Sequence, residues 1–169
     1  MEHPRAEAEQ WPHDRPFVSE KPKLRKIIIS KGFTGLANDT KWNELIQVMR
    51  GDGWSPSFRV NCIDSEYISP WASEWWHHLP FPLMSVSWMD LSVTEEKDTK
   101  WGRTLPGQID HSSELEELLT KIGLGFETGK DVIRIFGYAP KDRRDFSLAE
   151  TPKAYPDASD NGGKPPRLS

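Results

Sequence analysis

Cysteine is nearly missing from this chain of 169 residues: Cys62 stands alone. One thiol excludes an intrachain disulfide and any cysteine-based zinc cluster. Asp64 and Glu66 follow it closely, the opposite of the electropositive setting that activates a thiolate. Cys62 therefore reads as a small buried apolar side chain. Long apolar runs are missing as well. No stretch approaches the roughly 20 residues that cross a bilayer, and MEHPRAEAEQWPHDRPF lacks the apolar segment of a secretory signal. The expected compartment is the cytoplasm, with no membrane partner. The sequence contains no G-x-S-x-G, no P-loop, no G-x-G-x-x-G and no H-E-x-x-H, and no cofactor is expected. A cationic surplus is also lacking. There are 22 Lys and Arg against 26 Asp and Glu, a formal net charge of −4. Residues 32–139 hold 9 basic and 16 acidic side chains, a local net of −7. Such a domain repels phosphate backbones, so direct nucleic-acid binding is disfavoured.

The ends differ from the middle. Residues 1–22 hold four prolines and scattered charge, and residues 140–169 hold five prolines and the ending DASDNGGKPPRLS. Neither buries enough apolar area to offset its ordering entropy. They are read as an extended arm (1–22) and a proline-rich tail (140–169) flanking one domain, 23–139.

Within the domain, NDTKWNELIQVMRGDG places Trp42, Leu45, Ile46 and Met49 on one helical face. Asn38, Asp39 or Thr40 can cap its start, and Gly51 can end it. SSELEELLTKIGL repeats the pattern with Leu115, Leu118, Leu119 and Ile122. Ser113 and Glu116 have capping-box spacing, and Gly123 stands where a left-handed cap belongs. SFRVNCID alternates weakly. LMSVSWMDLSV alternates better, but its phase slips between Trp88 and Met89, which a β-bulge or two-sided burial would explain. GFETGKDVIRIFGYA predicts a hairpin turning at Thr128 to Lys130, with Val132 to Tyr138 as the return strand. LRKIIIS fits a helix or a strand. This order favours an α+β fold: an antiparallel sheet of about four strands packed against two or three helices, with irregular terminal arms.

Tryptophan is abundant, with eight in the chain and seven in residues 32–139. Trp42 and Trp88 lie on apolar faces and are expected in the core. Trp71, Trp75 and Trp76 cluster in an irregular proline-rich segment. They either pin a long loop to the domain or form an exposed platform of the kind enriched at binding hot spots. Asp64, Glu66, Glu74, Glu95, Glu96 and Asp98 would supply an acidic surround that attracts a basic partner. The expected partner-binding set is therefore Asp64, Glu66, Trp71, Glu74, Trp75, Trp76, Glu95 and Glu96. In EWWHHLPF, Glu74 and His78 have i, i+4 spacing, and Glu74 and His77 have i, i+3. These three, with His111 brought in by folding, form the alternative: a metal- or small-ligand-binding enzyme pocket.

LANDTKWNELIQVM, SVSWMDLSV, SSELEELLTKIGLGFE and IRIFGYA together resemble an uncharacterised family of small bacterial proteins. The resemblance runs from Leu36 to Ala139, with N-D-T-K-W its most specific element, and implies no activity, cofactor or site residue. In being small, acidic and tryptophan-rich without catalytic motifs, the chain is also similar to the immunity proteins of interbacterial toxin systems. That likeness implies a protein-binding module, an inhibitor that neutralises a toxin (a basic one where its target is nucleic acid) by direct binding.

Overall fold

The computed structural model describes residues 20–96 and 108–146. The fold is α+β. In chain order the elements are α1 (Lys21–Lys31), β1 (Thr34–Gly35), α2 (Asp39–Met49), β2 (Phe58–Cys62), a 3₁₀ turn at Leu83–Ser85, β3 (Val86–Ser92), β4 (Thr94–Glu96), β5 (Gln108–Asp110), α3 (Ser112–Ile122), β6 (Phe126–Thr128), β7 (Val132–Phe136) and β8 (Tyr138–Ala139). Four strands form an antiparallel sheet in the order β2-β3-β7-β6, and β1-β8 and β4-β5 form two small ribbons. The ambiguous LRKIIIS is helical: α1 opens with Pro22 in its first turn, closes on left-handed Gly32, and buries Leu24 while Ile29 stays exposed. It starts at Lys21, within the segment read as an arm.

The two predicted helices bury the predicted faces. Trp42, Leu45, Ile46 and Met49 of α2 and Leu115 and Leu119 of α3 join Phe58, Val60, Met89, Leu91, Ile133 and Ile135 in one core. Asn38 caps α2 by accepting from the Lys41 N–H at 2.9 Å. α3 departs from the capping-box reading. It begins two residues earlier, at Ser112 with His111 as N-cap, and Asp110 accepts from the Ser112 N–H at 2.8 Å. Glu116 instead accepts from the Thr128 hydroxyl at 2.6 Å, tying α3 to the sheet.

The phase slip in β3 has both of the causes considered. Opposite the step from Asn61 to Cys62, the β3 register jumps from Trp88 to Val86, so Ser87 is an extra residue. Beyond it both faces are covered, with Trp88, Met89, Asp90 and Leu91 all buried. Gly137 ends the return strand because the backbones meet there. It donates to the Ser87 carbonyl at 2.8 Å, and a Cβ at this position would collide with the Val86 oxygen.

The sheet face away from α2 and α3 is polar but sealed. Register sets Arg59, Asp90, Arg134 and Glu127 in one row across all four strands. Asp90 and Arg134 are both 0% exposed. Arg134 donates to both Asp90 oxygens, at 2.7 and 2.9 Å, and Arg59 donates to Oδ2 at 2.9 Å. The Arg134 guanidinium lies 3.5 Å from the Trp88 ring centroid and donates to the Asp142 and Arg144 carbonyls at 3.1 and 2.6 Å. Residues 140–146, assigned to a mobile tail from sequence, are thus part of the domain. Their carbonyls satisfy a buried cation, which makes their placement energetically necessary. The rest of the two arms, 1–19 and 147–169, lies outside the described residues.

Removing one partner would strand the other's charge in the sheet. Asp90→Ala should lower unfolding free energy by about 3–5 kcal/mol, read by urea denaturation. The pair Asp90→Leu with Arg134→Met should lose far less than the two single losses added together.

Candidate interaction surface

The chain between β2 and the 3₁₀ turn carries most of the sequence-predicted site. After a turn at Cys62 to Ser65, Ile68 to Ala72 runs back along β2. Ser69 N–H donates to the Val60 carbonyl, and Phe58 and Ala72 exchange both backbone bonds, at 2.8 and 2.9 Å. The segment therefore closes the outer edge of β2. A second turn follows, in which the Glu74 carboxylate accepts from the Trp76 and His77 N–H groups at 2.8 and 2.7 Å.

That turn sends adjacent tryptophans in opposite directions. Trp75 is 2% exposed; its ring lies 4.4 Å from that of Phe58, and its indole N–H donates to the Pro56 carbonyl at 2.9 Å. It pins the loop and presents no surface, which corrects its expected role as a partner contact. Trp71 and Trp76 are 44% and 51% exposed, and Phe81 in the same segment is 70% exposed. Pinning and platform are thus divided among the three tryptophans.

Cations lie over both exposed indole rings. The Arg59 guanidinium lies 5.1 Å from the Trp71 ring, and that of Arg50 lies 4.3 Å from Trp76. The carboxylates serve separate places. Glu74 holds its turn. Asp64 and Glu66 line an open cleft of about 460 Å³ with Phe33, Tyr138, Lys141 and Arg144. The Glu95 carboxylate accepts from the His111 Nε2–H at 2.7 Å. Glu96 ends β4, but its side chain, like Asp98 and Trp101, lies outside the described residues. Among the described residues, the expected contact set therefore does not gather into one acidic patch.

His111 sits at the head of α3. Glu114 contacts its other ring nitrogen at 3.1 Å, and Trp54 stacks on it at 4.0 Å and 14°. The hydrogen bond to Glu95, supported by Glu114, raises its pKa above the ordinary 6.5. Glu74 is committed to backbone donors, His77 is exposed and His78 half-buried. Among the described residues no three His, Cys, Asp or Glu side chains group to hold a metal, so the geometry lends the pocket reading no support. Burial pushes the Cys62 thiol up to about 12, the behaviour of an inert core residue.

The family of unknown function DUF6678 matches residues 24–142. The chain belongs to this family. The DUF6678 span takes in α1 from Leu24 onward and reaches Asp142, whose carbonyl accepts from Arg134. Neither a curated protein nor a solved structure matches the chain. Among the described residues of this DUF6678 member, no helix is long and apolar enough to cross a membrane.

Sequence reasoning missed Arg50, Arg59 and the His111 junction. The available signal for the first was an arginine directly after the buried face of α2; the other two depended on strand register and on a loop meeting a helix start.

Trp75→Ala should lower stability by about 3–5 kcal/mol, whereas Trp71→Ala and Trp76→Ala should each change it by under about 1 kcal/mol, in the same denaturation assay. A raised folded-state pKa makes the His111 contribution complete below pH 6.5 and lost as pH climbs through the folded value. The stability difference between wild type and His111→Gln should therefore shrink as pH rises above this range. A difference that grows instead would reverse the sign assigned to the junction.

Proposed function

We propose that the chain is a protein-binding module, and in its more specific form an immunity-like inhibitor that neutralises a bacterial toxin by direct binding. One observation carries this: a single loop, pinned by buried Trp75, presents Trp71, Trp76 and Phe81 to solvent. Exposed indoles on a rigid loop cost little ordering on association and bury much apolar area, the properties of hot-spot residues. The net −7 of residues 32–139 would act at longer range, accelerating encounter with a basic partner. Because Glu74 and Glu95 already bond groups of their own domain, steering falls to the summed charge rather than to any one carboxylate.

The test is affinity capture from native lysate at low and high salt, with wild type, Trp71→Ala and Trp76→Ala. One dominant protein, released by salt and retained at least about tenfold less by the alanine variants, is the expected result. Equal retention by wild type and both variants would remove the loop as the docking surface.

A further inference from the structure

Two arginines stack on exposed tryptophans, but their remaining donors are not equivalent. Arg59 is occupied: its Nε donates to the buried Asp90 carboxylate at 2.9 Å, and a terminal nitrogen donates to the Asp145 carbonyl at 3.2 Å. Arg50 is held differently. Its Nε donates to the Trp75 carbonyl at 3.0 Å, and its guanidinium centre stands 4.3 Å from the Trp76 ring centroid. One edge and one face of the guanidinium plane are thereby fixed. Among the described residues no carboxylate pairs with Arg50, and no acceptor takes its two terminal amino groups. The carboxylate within the turn, Glu74, already accepts two backbone N–H groups.

A guanidinium immobilised in this way presents a planar fork of N–H donors, which matches a carboxylate in two parallel hydrogen bonds. Its half-buried position weakens solvent competition for those bonds. The indole beside it, half exposed, is an apolar wall for whatever side chain adjoins the acid. The cation count favours a carboxylate over a phosphate: one guanidinium balances one negative charge and leaves a dianion half-matched.

Resting on the reading of the chain as a protein-binding module, we propose that Arg50 and Trp76 form its anchor point, which takes an Asp or Glu side chain of the partner flanked by an apolar residue. The partner can still be basic overall. Steering depends on its total charge, whereas the anchor reads a single acidic residue at contact.

The experiment is a nuclear magnetic resonance titration of the full ¹⁵N-labelled chain with two end-blocked peptides that differ only in a central Leu-Glu or Leu-Gln, and with inorganic phosphate. The Glu peptide should shift the Arg50 Nε–H and Trp76 indole signals, with an affinity at least about tenfold above that of the Gln peptide. Arg50→Lys should weaken it about fivefold or more, since the charge remains but the fork is lost. The Trp75 indole signal, held by Pro56, reports whether each variant is folded. Equal response to Glu and Gln peptides, no response to either, a stronger response to phosphate, or shifts of the same signals on simple concentration (a second copy as occupant) would each overturn the proposal. The capture assay separates the two levels. If Trp76→Ala loses the partner while Arg50→Gln keeps it, or if neither variant changes capture, the anchor falls and the protein-binding reading stands; if wild type captures no protein, that reading falls as well.

Discussion

A carboxylate with no access to water lies at the centre of the sheet, and most of the outer face follows from the need to satisfy it. Its oxygens are satisfied because Arg134 and Arg59 stand directly across from Asp90 on the neighbouring strands and donate to it. Arg134 in turn has N–H groups left over, and these reach backbone carbonyls of residues 142 and 144. A buried ion pair of this kind adds little net stability over an apolar pair, but it penalises alternatives heavily. A one-residue slip of β7 against β3 would turn Arg134 into the apolar core and leave Asp90 unmatched. The Arg59–Asp90–Arg134–Glu127 row thus acts as a register key, extended at its end by Arg143, which clasps Glu127 at 2.6 and 2.9 Å.

The same logic joins the key to the loop surface. Arg59 belongs to both, bonding Asp90 at its Nε and lying over Trp71. The loop covers the β2 edge with backbone hydrogen bonds, so it resembles an irregular extra strand rather than a free excursion. Edge protection explains why it is ordered, and the turn held by Glu74 explains why Trp75 is buried while Trp76 is displayed. A rigid display is what a binding surface requires, because the ordering cost of association is met in folding.

Electrostatics divides by distance. Glu74, Glu95, Asp90 and Glu127 are spent on internal partners, and their positions answer to turns, a histidine junction and strand pairing. Their charge still enters the far field of the domain. The groups stacked on the exposed tryptophan rings are cations although the chain is acidic, a distinction invisible to any sum over residues.

The two amphipathic helices, the hairpin, the α+β class and the burial of Trp42, Trp88 and Cys62 were legible because each depends on residues a few positions apart, where periodicity and caps act. Even the β3 phase slip, read between Trp88 and Met89, announced a break in the repeat, which the structure places at Ser87. The opposite charges placed singly inside two apolar strands, Asp90 in SWMDL and Arg134 in VIRIF, were readable in principle as a cross-strand pair. Other features could not be read from one segment. Whether Trp75 or Trp76 faces inward depends on which side of the turn meets Phe58, and whether Glu95 is a surface acid or a histidine partner depends on α3 arriving beside β4. The inclusion of residues 140–146 in the domain depends on unsatisfied donors on a strand several residues earlier. Local pattern is determined by covalent spacing, whereas direction and partnership are decided by which distant groups fill the remaining volume and hydrogen-bonding capacity, and that is a property of the folded chain alone.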